Sequence, residues 1–247
     1  LMKHDHHGRV ALITGAAQGM GAASARQLRA SGAEVVVFDL QADPLHDLAS
    51  DLNGLAFIGD VTCATDVNEA VTATLDLHGH LDILVNAAGI MMRTRFSDLE
   101  EHEFDRVVDV SLKGSFLTSK AVAEPMRQGG FGRIVHFSST AGRTVSTLGG
   151  CHYTAAKHGV IGLTRALAKE LAPHGITVNA VCPGLIDTEM VRDTVTPERI
   201  SEYEASFPVS RLGTPEEVAE AVAFLTSENA GYITGAPLDI NGGGFMG

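Results

Sequence analysis

A single doubly wound α/β domain, with a Rossmann-type parallel sheet of about seven strands and helices on both faces, is the fold class this 247-residue chain predicts. Three observations predict it. Short apolar runs recur at 10–14, 34–38, 55–58, 81–85, 133–137, 177–181 and 237–240, apolar throughout rather than alternating, as strands buried on both faces are. The stretches between them are long enough for the helices that parallel crossovers require. No strong repeat, Pro/Ser-rich linker or charge block interrupts the series, so residues 9–247 read as one domain.

Composition narrows the function. The chain is 45% hydrophobic and 19% charged, enough apolar material for a sizeable core. Asp plus Glu number 30 against 18 Lys plus Arg, a formal net charge of −12, which repels a polyanionic backbone and excludes nucleic acid as a partner. Cys63, Cys151 and Cys182 show neither a C-x-x-C pair nor metal-ligand spacing, which fits a reducing, cytoplasmic setting. No run stays apolar over the roughly 18 residues that a membrane span needs. Residues 1–8 lack an apolar signal core and read as a flexible leader. Their His4, His6 and His7 leave metal binding as the alternative. The central chain has no ligand cluster, so no catalytic metal is expected.

The first run ends in Thr14-Gly15-Ala16-Ala17-Gln18-Gly19-Met20-Gly21, and a helical run follows from Ala22 through Ala30. Glycines at a strand-to-helix turn let the backbone approach a pyrophosphate, and the helix N-terminus offers unpaired N–H donors. The spacing Gly-x-x-x-Gly-x-Gly differs from the Gly-x-Gly-x-x-Gly dinucleotide fingerprint, so a tight turn with close helix–strand packing is the alternative. The second run ends at Phe38-Asp39-Leu40, with Asp39 18 residues after Gly21. A carboxylate there accepts hydrogen bonds from both adenosine ribose hydroxyls and repels a 2′-phosphate. Neither Gln18 nor Leu40 supplies a cation for such a phosphate, so NAD is expected over NADP.

Tyr153 and Lys157 lie four apart and share one helix face. A phenol titrating near ~10 is a poor base at neutral pH, and a nearby ammonium is expected to lower that value. Later, about 30 residues with Pro183, Pro197 and Pro208 separate the sixth run from a helical stretch near Pro215. They read either as a lid, at about 185–212, or as a pair of surface helices.

Taken in order, from residue 9 to 243, these features resemble the short-chain dehydrogenase/reductase family. Thr14-Gly15-x-x-x-Gly19-x-Gly21, with Gln18 and Met20 inside it, resembles the family's cofactor motif. Asp60-Val61 resembles the pair that holds the adenine. Asn86-Ala87-Ala88-Gly89 is similar to the Asn-Asn-Ala-Gly motif, with Ala87 replacing the second Asn. Tyr153-x-x-x-Lys157 resembles the catalytic motif. Pro183-Gly184, followed by Ile186 and Thr188, resembles the turn beside the nicotinamide, Thr188 matching the hydroxyl that contacts its carboxamide.

The resemblance implies a hydride transfer between a secondary alcohol, or its ketone, and NAD. Tyr153 would serve as general base or acid and Lys157 would also reach the nicotinamide ribose. It implies a serine that hydrogen-bonds the substrate oxygen; Ser139 fits the motif, while the commonest spacing to the tyrosine points to Thr140. Ser111 stands where the family has an Asn that holds a relay water, and the relay either works through an extra water or is weakened. The substrate wall would come from Met91, Met92, residues 140–151 and residues 185–208, suiting a small or medium hydrophobic carbonyl. His152 either touches substrate or faces solvent, and Glu189, Arg192 and Asp193 read as solvated lid charges. An NADPH-type 3-oxoacyl-acyl-carrier-protein reductase and a non-catalytic nucleotide-binding sensor are the alternatives. A homotetramer is implied, formed through residues 232–246 and through long helices at 103–126 and 154–171.

Overall fold

The computed structural model describes residues 4–247. Among them, β1 (Val10–Thr14), β2 (Glu34–Asp39), β3 (Leu55–Ile58), β4 (Ile83–Asn86), β5 (Gly132–Phe137), β6 (Ile176–Pro183) and β7 (Pro237–Ile240) form one seven-stranded sheet. Its order is β3-β2-β1-β4-β5-β6-β7 and every pairing is parallel. The expected runs sit within a few residues of these strands. β4 starts two residues after its run because Asp82 is used otherwise: its carboxylate accepts from Val10 N at 2.9 Å and from Arg9 Nη1 at 3.0 Å, tying down the start of β1.

Because side chains alternate across a strand, the sheet builds two cores. Ala11, Ile13, Val35, Val37, Ile83 and Val85 point to one face. There they meet α1 (Gly19–Ala30), α2 (Ala42–Leu52) and α9 (Pro215–Thr226). Val10, Leu12, Val36, Phe38, Leu84 and Ile134 point to the other. They pack on α3 (Ala64–His78), α5 (Gly114–Gly129) and α6 (Cys151–Leu171). Burial on both faces is what made the runs continuously apolar in sequence.

One expectation about helices changes, and the segment 185–212 takes the form of a helix pair. The stretch expected as one helix over 103–126 is α4 (Glu101–Val108), then a single π-type turn at Asp109–Lys113, then α5. The extra residue in that turn carries Ser111 inward. The segment 185–212 holds α7 (Glu189–Thr194) and α8 (Pro197–Ser206), and α8 buries no residue. Pro183 closes β6, and Pro197 opens α8 in its first turn, where the missing N–H costs nothing.

The leader reading also changes. His6 is fully buried, its Nε2 lies 2.9 Å from Thr226 Oγ1, and its backbone N–H donates to Ser31 O at 2.9 Å. His4 and His6 therefore pack against α9 and the end of α1, while Asp5, His7 and Gly8 stay exposed; residues 1–3 lie outside the described residues.

The chain leaves β1 toward β2 and β3, then returns to place β4 on the other side of β1. At such a reversal the two flanking crossovers diverge and open a crevice beyond the strand ends. Thr14 and Asn86 are paired at the adjoining ends of β1 and β4, so the crevice opens between the loops that follow them.

Candidate active site and cofactor cleft

A cleft of about 720 Å³ occupies that crevice. Gly15 and Gly19 hold positive φ angles, 64° and 55°. A Cβ at Gly15 would come within 2.5 Å of Ala88 N, and one at Gly21 would overlap Gly15 O, so side chains there would push the β1 turn away from the β4 loop and from α1 respectively. α1 begins at Gly19 with no side-chain cap and no acidic residue in its first turn. Its N–H groups and positive dipole end thus suit a pyrophosphate.

At the far end of the cleft the Asp39 carboxylate is held at the tip of β2. Its Oδ2 accepts from Ala17 N and its Oδ1 from Gln41 N, each at 3.1 Å. Exposed Leu40 lies beside it. Asp60 Oδ1 accepts from both the N and the Oγ1 of Thr62 at 2.8 Å, fixing the carboxylate next to buried Val61. Gln18, Met20, Ala87, Gly89 and Thr188 also line the cleft. Asn86, Pro183 and Gly184 do not line it. Asn86 is buried, with Oδ1 accepting from Thr118 Oγ1 at 2.7 Å. The Ile186 side chain is in the core, so only its backbone is available to a cofactor.

The proton-handling candidates gather beyond Gly89. The Ser139 hydroxyl hydrogen-bonds the Tyr153 phenol oxygen, and Ser139 Oγ accepts from Ala141 N at 3.1 Å. Thr140, the other candidate, spends its hydroxyl on Pro183 O at 3.1 Å. Lys157 is buried, donates from Nζ to Phe137 O at 2.8 Å and lies 5.7 Å from the centre of the Tyr153 ring. Burial pulls its ammonium down to about 8.

One expectation reverses here. Burial pushes the Tyr153 phenol above its ordinary value, and the Ser139 hydrogen bond only partly opposes it. The Lys157 ammonium is anchored on Phe137 O, and desolvation is the largest influence on the phenol.

A Cβ at Gly89 would lie 3.2 Å from Lys157 Nζ and 3.6 Å from Ser111 Oγ. Gly89 therefore leaves open the space that joins these two groups. Ser111 Oγ is buried without a protein hydrogen-bond partner, a state that water ordinarily relieves.

Several groups escaped the sequence reading. His102, Asp105, Arg106 and Asp109 of the α4 segment form a wall of the cleft; the helical period of that segment was the available signal. His136 interrupts an apolar strand, the sign of a buried polar network. Its Nε2 lies 2.9 Å from Ser119 Oγ and its Nδ1 2.9 Å from Thr164 Oγ1. Because Thr164 already donates to Val160 O, Nδ1 carries the proton and donates, leaving Nε2 to accept from Ser119. Burial brings His136 down to about 3, so it stays neutral. Glu189, read as a solvated charge, lines the cleft, whereas Arg192 forms a two-pronged pair with Asp187 at 2.7 and 2.8 Å. His152 neither faces solvent nor lines the cleft: it is fully buried against α4.

Among the described residues no helix is long and apolar enough to cross a membrane, and no group of three or more His, Cys, Asp and Glu residues could hold a metal ion.

Comparison with known proteins identifies the family and the fold. The family model described as Enoyl-(Acyl carrier protein) reductase matches residues 15–244. The chain is 41% identical over 249 residues to the short-chain reductase protein NovJ of Streptomyces niveus, covering 95% of this chain and 93% of that one. It is 40% identical over 242 residues to the 3-oxoacyl-[acyl-carrier-protein] reductase FabG of Vibrio cholerae, covering 97% and 98%. A crystal structure of a short-chain type dehydrogenase/reductase from Mycobacterium marinum superposes with a TM-score of 0.93 at 34% identity, over 99% of this chain and 98% of the other. With its glycine cradle between β1 and α1 and its Ser139, Tyr153 and Lys157 cluster beyond it, this chain belongs to the short-chain dehydrogenase/reductase family of oxidoreductases.

Proposed function

We propose that this protein is an NAD(H)-linked reductase of ketones to secondary alcohols that also runs in reverse as a dehydrogenase. The observation that carries the cofactor half is Asp39. Its carboxylate is fixed at the rim of the cleft by two backbone N–H groups. A ribose with free hydroxyls donates to it, whereas a 2′-phosphate meets its charge. The nicotinamide, when bound, supplies the hydride or accepts it.

The chain's own residues do the rest. Ser139 and Tyr153 hold the carbonyl oxygen, and Tyr153 passes its proton to that oxygen during reduction. Lys157 holds the next proton, and water between it and Ser111 Oγ restores it from solvent. Residues 185–212 cover the carbonyl from the side of Thr188 and Met190.

A second reading, an NADPH-type 3-oxoacyl-acyl-carrier-protein reductase, is favoured by the names of relatives such as the one from Vibrio cholerae. Initial rates with NADH and NADPH on a panel of ketones, acetoacetyl-coenzyme A included, separate the two. NADH is expected to be preferred, and Asp39→Ala to shift the ratio toward NADPH by at least about tenfold, or ~1.4 kcal/mol. A wild-type preference for NADPH would overturn the Asp39 argument. Ser111→Ala tests the relay: kcat should fall by about tenfold. The melting temperature should stay unchanged, because the hydroxyl makes no protein hydrogen bond. Unchanged kcat would remove Ser111 from the relay.

A further inference from the structure

The first turn of α6 is gripped by a buried polar pair that the proton transfer does not use. His152 immediately precedes Tyr153 and has 0% of its surface exposed. Its Nε2 lies 3.2 Å from Glu103 Oε1 on α4, within ion-pair distance. Neither imidazole nitrogen nor that oxygen has a hydrogen-bond partner, so the contact between them is one of close approach alone. Glu103 Oε2 accepts from Thr94 Oγ1 at 2.9 Å, and Gly150 N donates to Met92 O at 2.8 Å. The ring is pressed against Gly150, where a Cβ would come within 2.5 Å of Cε1. Three separate segments meet here: the loop after β4, α4, and the turn that carries Tyr153.

Geometry gives this meeting a consequence. Neighbouring residues on a helix point about 100° apart, so fixing the direction of residue 152 fixes the rotation of the turn that aims residue 153. The other side of the helix is anchored by Lys157, through Nζ to Phe137 O and by Ser138 Oγ donating to Lys157 O at 2.9 Å. An apolar contact at 152 would fill the space but leave the turn free to rotate. A buried imidazole held 3.2 Å from a carboxylate resists turning away from it, and removing either partner strands the other in the interior.

We propose that His152 and Glu103 are a positioning pair that sets the Tyr153 turn against the 91–94 wall of the substrate site. The proposal rests on Tyr153 as the proton donor, and the test separates the two ideas. Hydrogen exchange and kinetics are measured on Glu103→Ala and Glu103→Gln in the full chain. Glu103→Ala should speed amide exchange about tenfold at 150–154 and 91–95 while leaving 15–21 unchanged. It should raise the KM for acetoacetyl-coenzyme A and lower kcat, together by about tenfold or more in kcat/KM, with the Kd for NADH kept within about twofold. Glu103→Gln, which still accepts from Thr94, should recover most of both effects.

Exchange unchanged at 150–154, or accelerated equally throughout, would overturn the proposal. So would local loosening with unaltered kcat and KM in an active enzyme. A wild-type chain that reduces no carbonyl would sink the reaction instead, and the local exchange pattern would then still decide the pair.

Discussion

Tyr153→Phe is expected to lower kcat by about a thousandfold, within the range of general acid–base contributions, while the Kd for NADH stays within about twofold. The substitution removes one oxygen and nothing else. The ring keeps its packing against Gly149, where a Cβ would lie 2.7 Å from Tyr153 Cδ1. What is lost is the acid itself and the group that the Ser139 hydroxyl meets. Stopped-flow reduction of a ketone, alongside NADH fluorescence titration, reads both quantities. A variant retaining a tenth or more of wild-type kcat would show that another group delivers the proton. Ser139 is poorly suited to do so, since a hydroxyl hydrogen-bonded to a phenol has no proton supply of its own once the phenol is gone.

Lys157→Met should abolish turnover and yet stabilise the fold. Burial brings this lysine from 10.5 down to about 8, so the unfolded chain holds its proton more tightly than the folded chain does. The difference opposes folding by about 3 kcal/mol at pH 7. The penalty is full below about pH 8 and fades as pH rises toward 10.5, because over that window the folded lysine has released its proton while the unfolded chain still holds it. Methionine carries no such penalty but forfeits the hydrogen bond to Phe137 O, worth ~1 kcal/mol. The net gain should therefore be about 2 kcal/mol at pH 7, measured by denaturant midpoints, and it should shrink or change sign by pH 10.5. A variant less stable than wild type at pH 7 would mean that Lys157 is better solvated than its burial implies. The same residue shapes the rate profile: kcat for ketone reduction should fall as pH rises through about 8, when Lys157 loses the proton it passes on.

Much of the cofactor end was legible along the chain, and the reason is local. Gly15, Gly19, Gly21, Asp39, Asp60 and Val61 each act through the backbone conformation or strand end that they occupy, and all line the cleft. A strand-to-helix turn is specified by a handful of contiguous residues, so its chemistry can be read from spacing. The catalytic end was less legible. His152 looked like a solvent-facing residue at a helix start because nothing near it in sequence reveals Glu103, which reaches it from α4. Tyr153 was expected to be lowered by Lys157, but the phenol responds to everything packed around it, and burial wins. Ser111 was placed by motif, while the π-type turn that swings it toward Gly89 and Lys157 has no sequence period of its own. His6 looked like part of a loose leader until Thr226, 220 positions away, supplied its partner.

The sequence by itself determined the strands, the alternation of strand and helix, the glycine turn and the acidic residue beyond it. These depend on periodicity, backbone sterics and neighbours a few positions apart. Only the tertiary structure decided the strand order that opens the crevice between β1 and β4, the inward turn of His152, the raised Tyr153 phenol and the lowered Lys157. Desolvation and partner choice sum over atoms from distant segments, and that sum exists only once the chain has folded.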